Sequence, residues 1–194
     1  SVYKTDRHTM LKSIHSLMDE ADAIVHYNGN RFDIPMLNKE FLEAGMPPPS
    51  PAKHIDLLQT SRSKFRFVSN KLDYIAQRLG LGKKTEHEGH ELWLKVMNND
   101  RKAWKRMEEY NKNDVILLEA VYNKFKGWIS NHPNRNAYDA NAGCVNCGSS
   151  KIHHRGYSVL TTGKYRRFQC QACGTWFRSN KKETSEKQEK FLRA

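Results

Sequence analysis

The chain has 194 residues, with 33 Lys and Arg against 21 Asp and Glu, and a formal net charge of +12 at pH 7. Its 38% hydrophobic and 28% charged content suits one ordinary domain plus a small one, and no apolar run approaches the length needed to cross a membrane. The sequence shows no secretory leader, so a reducing compartment is expected: the cytoplasm of a bacterium or of a phage-infected cell. The charge is uneven. Residues 144–194 carry eleven Lys and Arg against three Glu, a net of +8. Such a basic segment, with aromatics among its cations, calls for a polyanion partner, most simply nucleic acid. A solvated, solubility-promoting tail is the plainer alternative.

In chain order, Thr5 or Asp6 is expected to cap a first helix whose apolar face holds Met10, Leu11, Ile14, Leu17 and Met18. Residues 23–27 read as a short buried strand, and Asn28-Gly29-Asn30-Arg31 as a turn. Asp33 precedes Ile34-Pro35, which opens a helix running to Gly45. Four prolines between Met46 and Pro51 make a loop, and residues 55–58 are a short strand or a helix start. Ser69 or Asn70 should cap a helix over 71–79, followed by a polar loop over 83–89 and a helix over 91–97. A long helix is predicted from Arg101 to Trp128, packed through Trp104, Met107, Leu118, Val121, Tyr122 and Phe125. This first domain, residues 1–129, is followed by an Asn-rich linker over 130–143, a small module over 144–180 and a charged tail over 181–194.

The four cysteines of the chain form two Cys-x-x-Cys pairs, Cys144/Cys147 and Cys170/Cys173, with 22 residues between them. Two such knuckles, each followed by glycine, have the spacing of a structural four-cysteine zinc site. Disulfides or free buried thiols are the alternative, and a disulfide framework belongs with secreted chains. Hairpin strands are expected over 157–160 and 165–170. Arg155, Lys164, Arg166, Arg167 and Arg178 interleave with Tyr157, Tyr165, Phe168 and Trp176, so cations can meet phosphates while rings stack on bases. Phe168 and Phe177 are expected instead to fill the module's small core. His153-His154 is not needed as a ligand, because four cysteines complete a tetrahedron. The run from His87 to Glu91 lacks the i, i+4 histidines of a zinc protease and reads as loop.

In the first domain, Asp33 sits past a strand and turn, and Tyr110 and Asp114 lie one helical turn apart. Carboxylates can hold a hard divalent cation, and a phenol can orient water or a phosphate oxygen. Taken singly, Asp33 reads equally as a helix cap and Asp114 as part of a solvated face. As an ordered set, Asn28…Phe32-Asp33, the segment Lys71-Leu72-Asp73-Tyr74, and Tyr110…Asp114 resemble the motifs of DnaQ-like, DEDD-type 3′–5′ exonucleases in their tyrosine form, similar to the proofreading domain of family B DNA polymerases. The small module resembles the zinc ribbons of transposases.

The resemblance implies an α/β, ribonuclease H-like fold and removal of nucleotides from DNA 3′ ends with Mg2+ or Mn2+. It implies that Asp114 binds the catalytic ion, that Asp33 acts near a second ion, and that Tyr110 positions the attacking water. Asn28 and Phe32 would shape the nucleotide pocket. Arg155, Arg166, Arg167 and Trp176 would contact single-stranded DNA. The family's opening Asp-x-Glu strand has no counterpart before Asp33, where the acids are Asp6, Asp19, Glu20 and Asp22. The expectation is therefore a site lacking two carboxylates, completed by a missing N-terminal segment or another chain, or else an inactive, nucleic-acid-binding remnant of the fold.

Overall fold

The computed structural model describes residues 6–84, 89–137 and 143–183. Thr5, the stretch 85–88 with His87 and Glu88, and the tail over 184–194 lie outside the described residues. Contacts divide the chain into two units, residues 1–125 and 126–194.

In the first unit, α1 (Arg7–Glu20) starts at Asp6, whose carboxylate accepts from the Thr9 amide at 2.9 Å. Leu11 and Met18 are buried against Phe41, with Met10, Ile14 and Ile24 beside them. Leu17, expected on this face, is 66% exposed. It lies about 100° round the helix from Met18, outside the buried stripe. Strand β1 (Ala23–His26) then pairs in parallel with β2 (Lys53–Asp56), in a register that sets His26 opposite Asp56. Parallel strands need a crossover, supplied by α2 (Asp33–Glu43).

Helix α3 (Leu57–Lys64) follows β2 directly, so the ambiguous stretch over 55–58 is both a strand end and a helix start. Helix α4 (Leu72–Arg78) has Lys71 at its cap position, with no side-chain cap bond. The expected caps act elsewhere: Asn70 Oδ1 accepts from the Ser61 hydroxyl at 2.6 Å, and Ser69 Oγ accepts from the Lys71 amide. Helix α5 (His90–Met97) matches the expected helix over 91–97 and starts one residue earlier, so His90 and Glu91 of the His87–Glu91 run are helical rather than loop; Gly89 holds its cap position. Helix α6 (Arg101–Phe125), about 37 Å long, packs on α3, α4 and α5. Its buried residues are Ala103, Leu117, Val121 and Phe125. Trp104, Met107 and Leu118 are half-buried at the edges of that stripe. The helix ends at Phe125, whose ring meets Phe65 at 4.8 Å, and a 3₁₀ turn over Lys126–Trp128 takes over.

The second unit begins with that turn. Residues 126–137, expected as a helix end and linker, fold with the cysteine module. Asn146 Nδ2 donates to the Lys126 carbonyl at 2.7 Å, the Arg135 amide donates to Val145 O at 2.8 Å, and the Asn136 amide group exchanges two hydrogen bonds with Gly143. An antiparallel sheet follows in the order β3 (Ile152–Leu160), β4 (Gly163–Cys170), β5 (Trp176–Lys182). The third strand takes in Lys181 and Lys182, which were expected in the tail.

Gly127 lies so close to the second knuckle that a Cβ there would stand 2.1 Å from the Cys173 carbonyl oxygen. Backbone cannot yield as a side-chain tip can. Gly127→Ala is therefore expected to destabilise this unit by about 3 kcal/mol and to weaken metal retention by the cysteines. Thermal unfolding and metal content of the variant check this.

Candidate active site and four-cysteine centre

The first site forms where β1 and β2 end. In a parallel sheet the carboxyl ends of the strands are where loops leave room for a ligand. After β1 the chain turns through Asn28, held at φ +66°, a conformation asparagine tolerates better than most residues. The turn is fixed by Asp56, which is 5% exposed. Its Oδ1 accepts from the Asn28 amide at 2.9 Å and from the Leu58 amide at 3.0 Å, so one buried carboxylate ties the β1 turn to the start of α3. His26 Nδ1 accepts from the Gly29 amide at 3.1 Å. Burial lowers the His26 pKa against the opposing pull of Asp56 and so favours the neutral ring. Tyr27 donates to the Asn70 carbonyl at 2.6 Å, and burial raises its phenol to about 12.

A cleft of about 950 Å³ opens beside this edge. Asn28 and Asp33 line it from the β1 side, Arg62, Lys71 and Asp73 from the helices α3 and α4, and Asp114 from α6. Phe32 is 64% exposed and does not line it. The one-turn spacing on α6 has its expected effect: Tyr110 and Asp114 meet the same group, the ammonium of Lys84. Lys84 Nζ lies 2.6 Å from Asp114 Oδ2 and 3.1 Å from the Tyr110 hydroxyl. Burial opposes its charge, but the hydrogen bonds to Asp114 and Tyr110 outweigh burial and raise its pKa. The Lys84 amide in turn donates to Asp73 Oδ1 at 2.7 Å, and with Gln77 this lowers the Asp73 pKa.

The other Asp114 oxygen, Oδ1, is buried and has no hydrogen-bond partner among the described residues. An orphaned carboxylate oxygen in a polar cleft is the kind of group a cation satisfies. A fuller metal site does not assemble from these residues. Among the described residues, the only set of three or more ligating side chains gathered about one point is the cysteine cluster. Among the described residues Asp114 offers the cleft one unsatisfied carboxylate oxygen, and no second and third ligand gather beside it.

Sequence reasoning passed over Lys84. Its only signal was a Lys-Lys pair following the Gly80-Leu81-Gly82 turn, which is indistinguishable in sequence from a solvated loop.

In the second unit the four thiols converge. Their sulfurs all lie within 4.8 Å of one another, with Cys144–Cys173 at 3.5 Å and Cys147–Cys170 at 3.6 Å. A disulfide would need about 2.05 Å; a tetrahedron of thiolates about a zinc-sized ion has edges near 3.8 Å. The four cysteines are unbridged, and Cys144 and Cys170 are buried. Gly148 (φ +74°) and Gly174 (φ +77°) close the two knuckles in the left-handed region, returning their amides to the carbonyls of Cys144 and Cys170. At Cys170, burial opposes ionisation, but the amides of Cys173 and Ala172 overcome it and lower the thiol's pKa. Burial raises that of Cys147.

His154 packs against Phe168 and Tyr157 rather than approaching the sulfurs, and Phe168 stacks on Phe177 at 5.7 Å. Arg166 is ion-paired with Glu183 at 2.6 Å, while Arg167, Arg155 and Trp176 are exposed.

Two comparisons bear on this geometry. A family model described as the RNase_H superfamily matches residues 3–126, and no curated protein matches the chain. No helix among the described residues is long and apolar enough to cross a membrane.

Proposed function

The chain belongs to the RNase_H superfamily over residues 3–126, and on that premise we propose that its first unit is the nuclease portion of a metal-dependent 3′–5′ exonuclease acting on DNA ends. The observation that carries this reading is the buried Asp114 Oδ1, unpartnered among the described residues, in a cleft shared with Asp33. Asp114 would hold the ion, and Asp33 would bind its water shell. When bound, Mg2+ or Mn2+ supplies charge neutralisation of the phosphate and a more acidic water. Tyr110 orients a water or phosphate oxygen through its hydroxyl. Asn28, aimed by its turn, contacts the terminal nucleotide, with exposed Phe32 available to cover a base. The carboxylates gathered there among the described residues do not suffice for two ions, so this reading requires further acids to join Asp33 and Asp114. The four cysteines hold structural Zn2+ in a ribbon-like module that binds nucleic acid, and the protein works in a reducing, cytoplasm-like compartment.

A second reading, a nucleic-acid-binding domain without catalysis, is favoured by Lys84, which fills with its own charge the place beside Asp114 where an ion would sit. The two readings part on cation binding. If Asp114 is an ion site, Lys84→Gln is expected to tighten Mn2+ binding to the zinc-loaded chain about tenfold, because an ammonium within hydrogen-bond reach repels a second cation. Asp114→Asn should abolish the gain. Electron paramagnetic resonance of free Mn2+ measures both. Equally weak binding in all three proteins would favour the non-catalytic reading.

A further inference from the structure

On the sheet of the second unit, directly opposed residues in neighbouring antiparallel strands put their side chains on the same face. Three such rows cross β4 and β5: Gln169 opposite Trp176, Arg167 opposite Arg178, and Tyr165 opposite Lys182. The middle row sets two guanidiniums against each other. Like charges in this position are destabilising, and among the described residues neither has a carboxylate partner. The local sequence has none to spare: between residues 143 and 183 the one acid is Glu183, and it pairs with Arg166. Arg166 neighbours Arg167 along the strand, so its side chain belongs to the opposite face.

Both guanidiniums are oriented. Arg167 Nε donates to the Arg155 carbonyl at 3.1 Å, and Arg178 Nη1 to the Ser179 carbonyl at 3.2 Å. Each also lies over a ring, Arg167 over Trp176 at 5.1 Å and Arg178 over Tyr165 at 4.4 Å. The face therefore runs ring, cation pair, ring, with Trp176 52% exposed.

We propose that Arg167 and Arg178 clamp one backbone phosphate of a single-stranded nucleic acid whose flanking bases stack on Trp176 and Tyr165. An anion between the two guanidiniums turns their repulsion into attraction, and planar cations already seated over rings extend a stack to a base. Duplex is disfavoured because its base faces are already stacked on neighbouring pairs and offer no free surface to the rings. The opposite face, where Phe168 stacks on Phe177, is the packing side of the same sheet. The proposal rests on reading the second unit as a nucleic-acid-binding module, and it locates the binding on one face.

The test uses the full chain, zinc-loaded and without added magnesium, binding fluorescent dT12, rU12 and a duplex at several salt concentrations. Wild type is expected to bind single strands more tightly than duplex. Arg167→Gln and Arg178→Gln should each weaken single-strand binding about tenfold, and the double variant should lower the slope of log affinity against log salt by about 0.7, the loss of one phosphate contact. Trp176→Ala should weaken it roughly tenfold with the salt slope unchanged. Arg166→Gln should have little effect. Equal loss from Arg166→Gln and Arg167→Gln would mean a diffuse basic surface and overturn the clamp while leaving the nucleic-acid reading in place. No binding by the wild type would overturn both. Equal affinity for dT12 and rU12 fits a site built on phosphate and base faces; a strict requirement for the 2′-hydroxyl would count against it.

Discussion

Stripping the metal from the four-cysteine centre is expected to unfold residues 143–183 outright. Few side chains are buried there, and among the described residues of the unit the enclosed apolar groups are Cys144 and Cys170 themselves and Ile129. So small a core cannot offset the conformational entropy of ordering some forty residues. Metal binding is then folding energy, on the order of 10–16 kcal/mol for structural zinc in small modules. The purified chain should carry about one zinc. Chelation, or replacement of any one of Cys144, Cys147, Cys170 and Cys173 by Ser, should abolish the strand signal of this unit in circular dichroism. Residues 6–125 hold clusters of their own, such as Leu11, Met18 and Phe41, and should keep their helical circular dichroism. A chain that purifies with two disulfides and no zinc would refute the assignment.

The other large effect lies in the cleft. Residues 1–194 alone are expected to release few or no nucleotides from a 3′-labelled single strand with Mg2+ or Mn2+, because among the described residues the cleft does not gather enough carboxylates for two ions. When the missing acids are supplied, by a longer chain or a partner, activity should appear. Replacing Asp33 or Asp114 by Ala should then lower it about a thousandfold or more, since pre-positioned charge supplies much of the transition-state stabilisation in phosphoryl transfer. Tyr110→Phe removes one hydrogen bond and should lower activity roughly tenfold. Full activity in Asp114→Ala would remove the exonuclease reading altogether. Brisk, metal-dependent digestion by residues 1–194 would show that acids already within the chain complete the site.

Much of this was legible in the sequence because it depends on local spacing. The Cys-x-x-Cys pairs and their glycines specify two knuckles whatever surrounds them. Tyr110 and Asp114 share a helix face because 3.6 residues make a turn, and Asn28 and Asp33 follow a strand whose apolar run is plain. Tertiary structure decided what no periodicity encodes. It brought Lys84 to Asp114 across thirty residues, gave Asp56 to the task of tying two loops together, and left Asp114 Oδ1 buried without a partner among the described residues. It also chose among the basic residues of the second unit. In sequence Arg166 and Arg167 are neighbours of equal charge; strand alternation sends them to opposite faces, one to Glu183 and the other to Arg178. The residues of a site are written in the chain, but which charges meet is set by register and packing, which only the assembled fold defines.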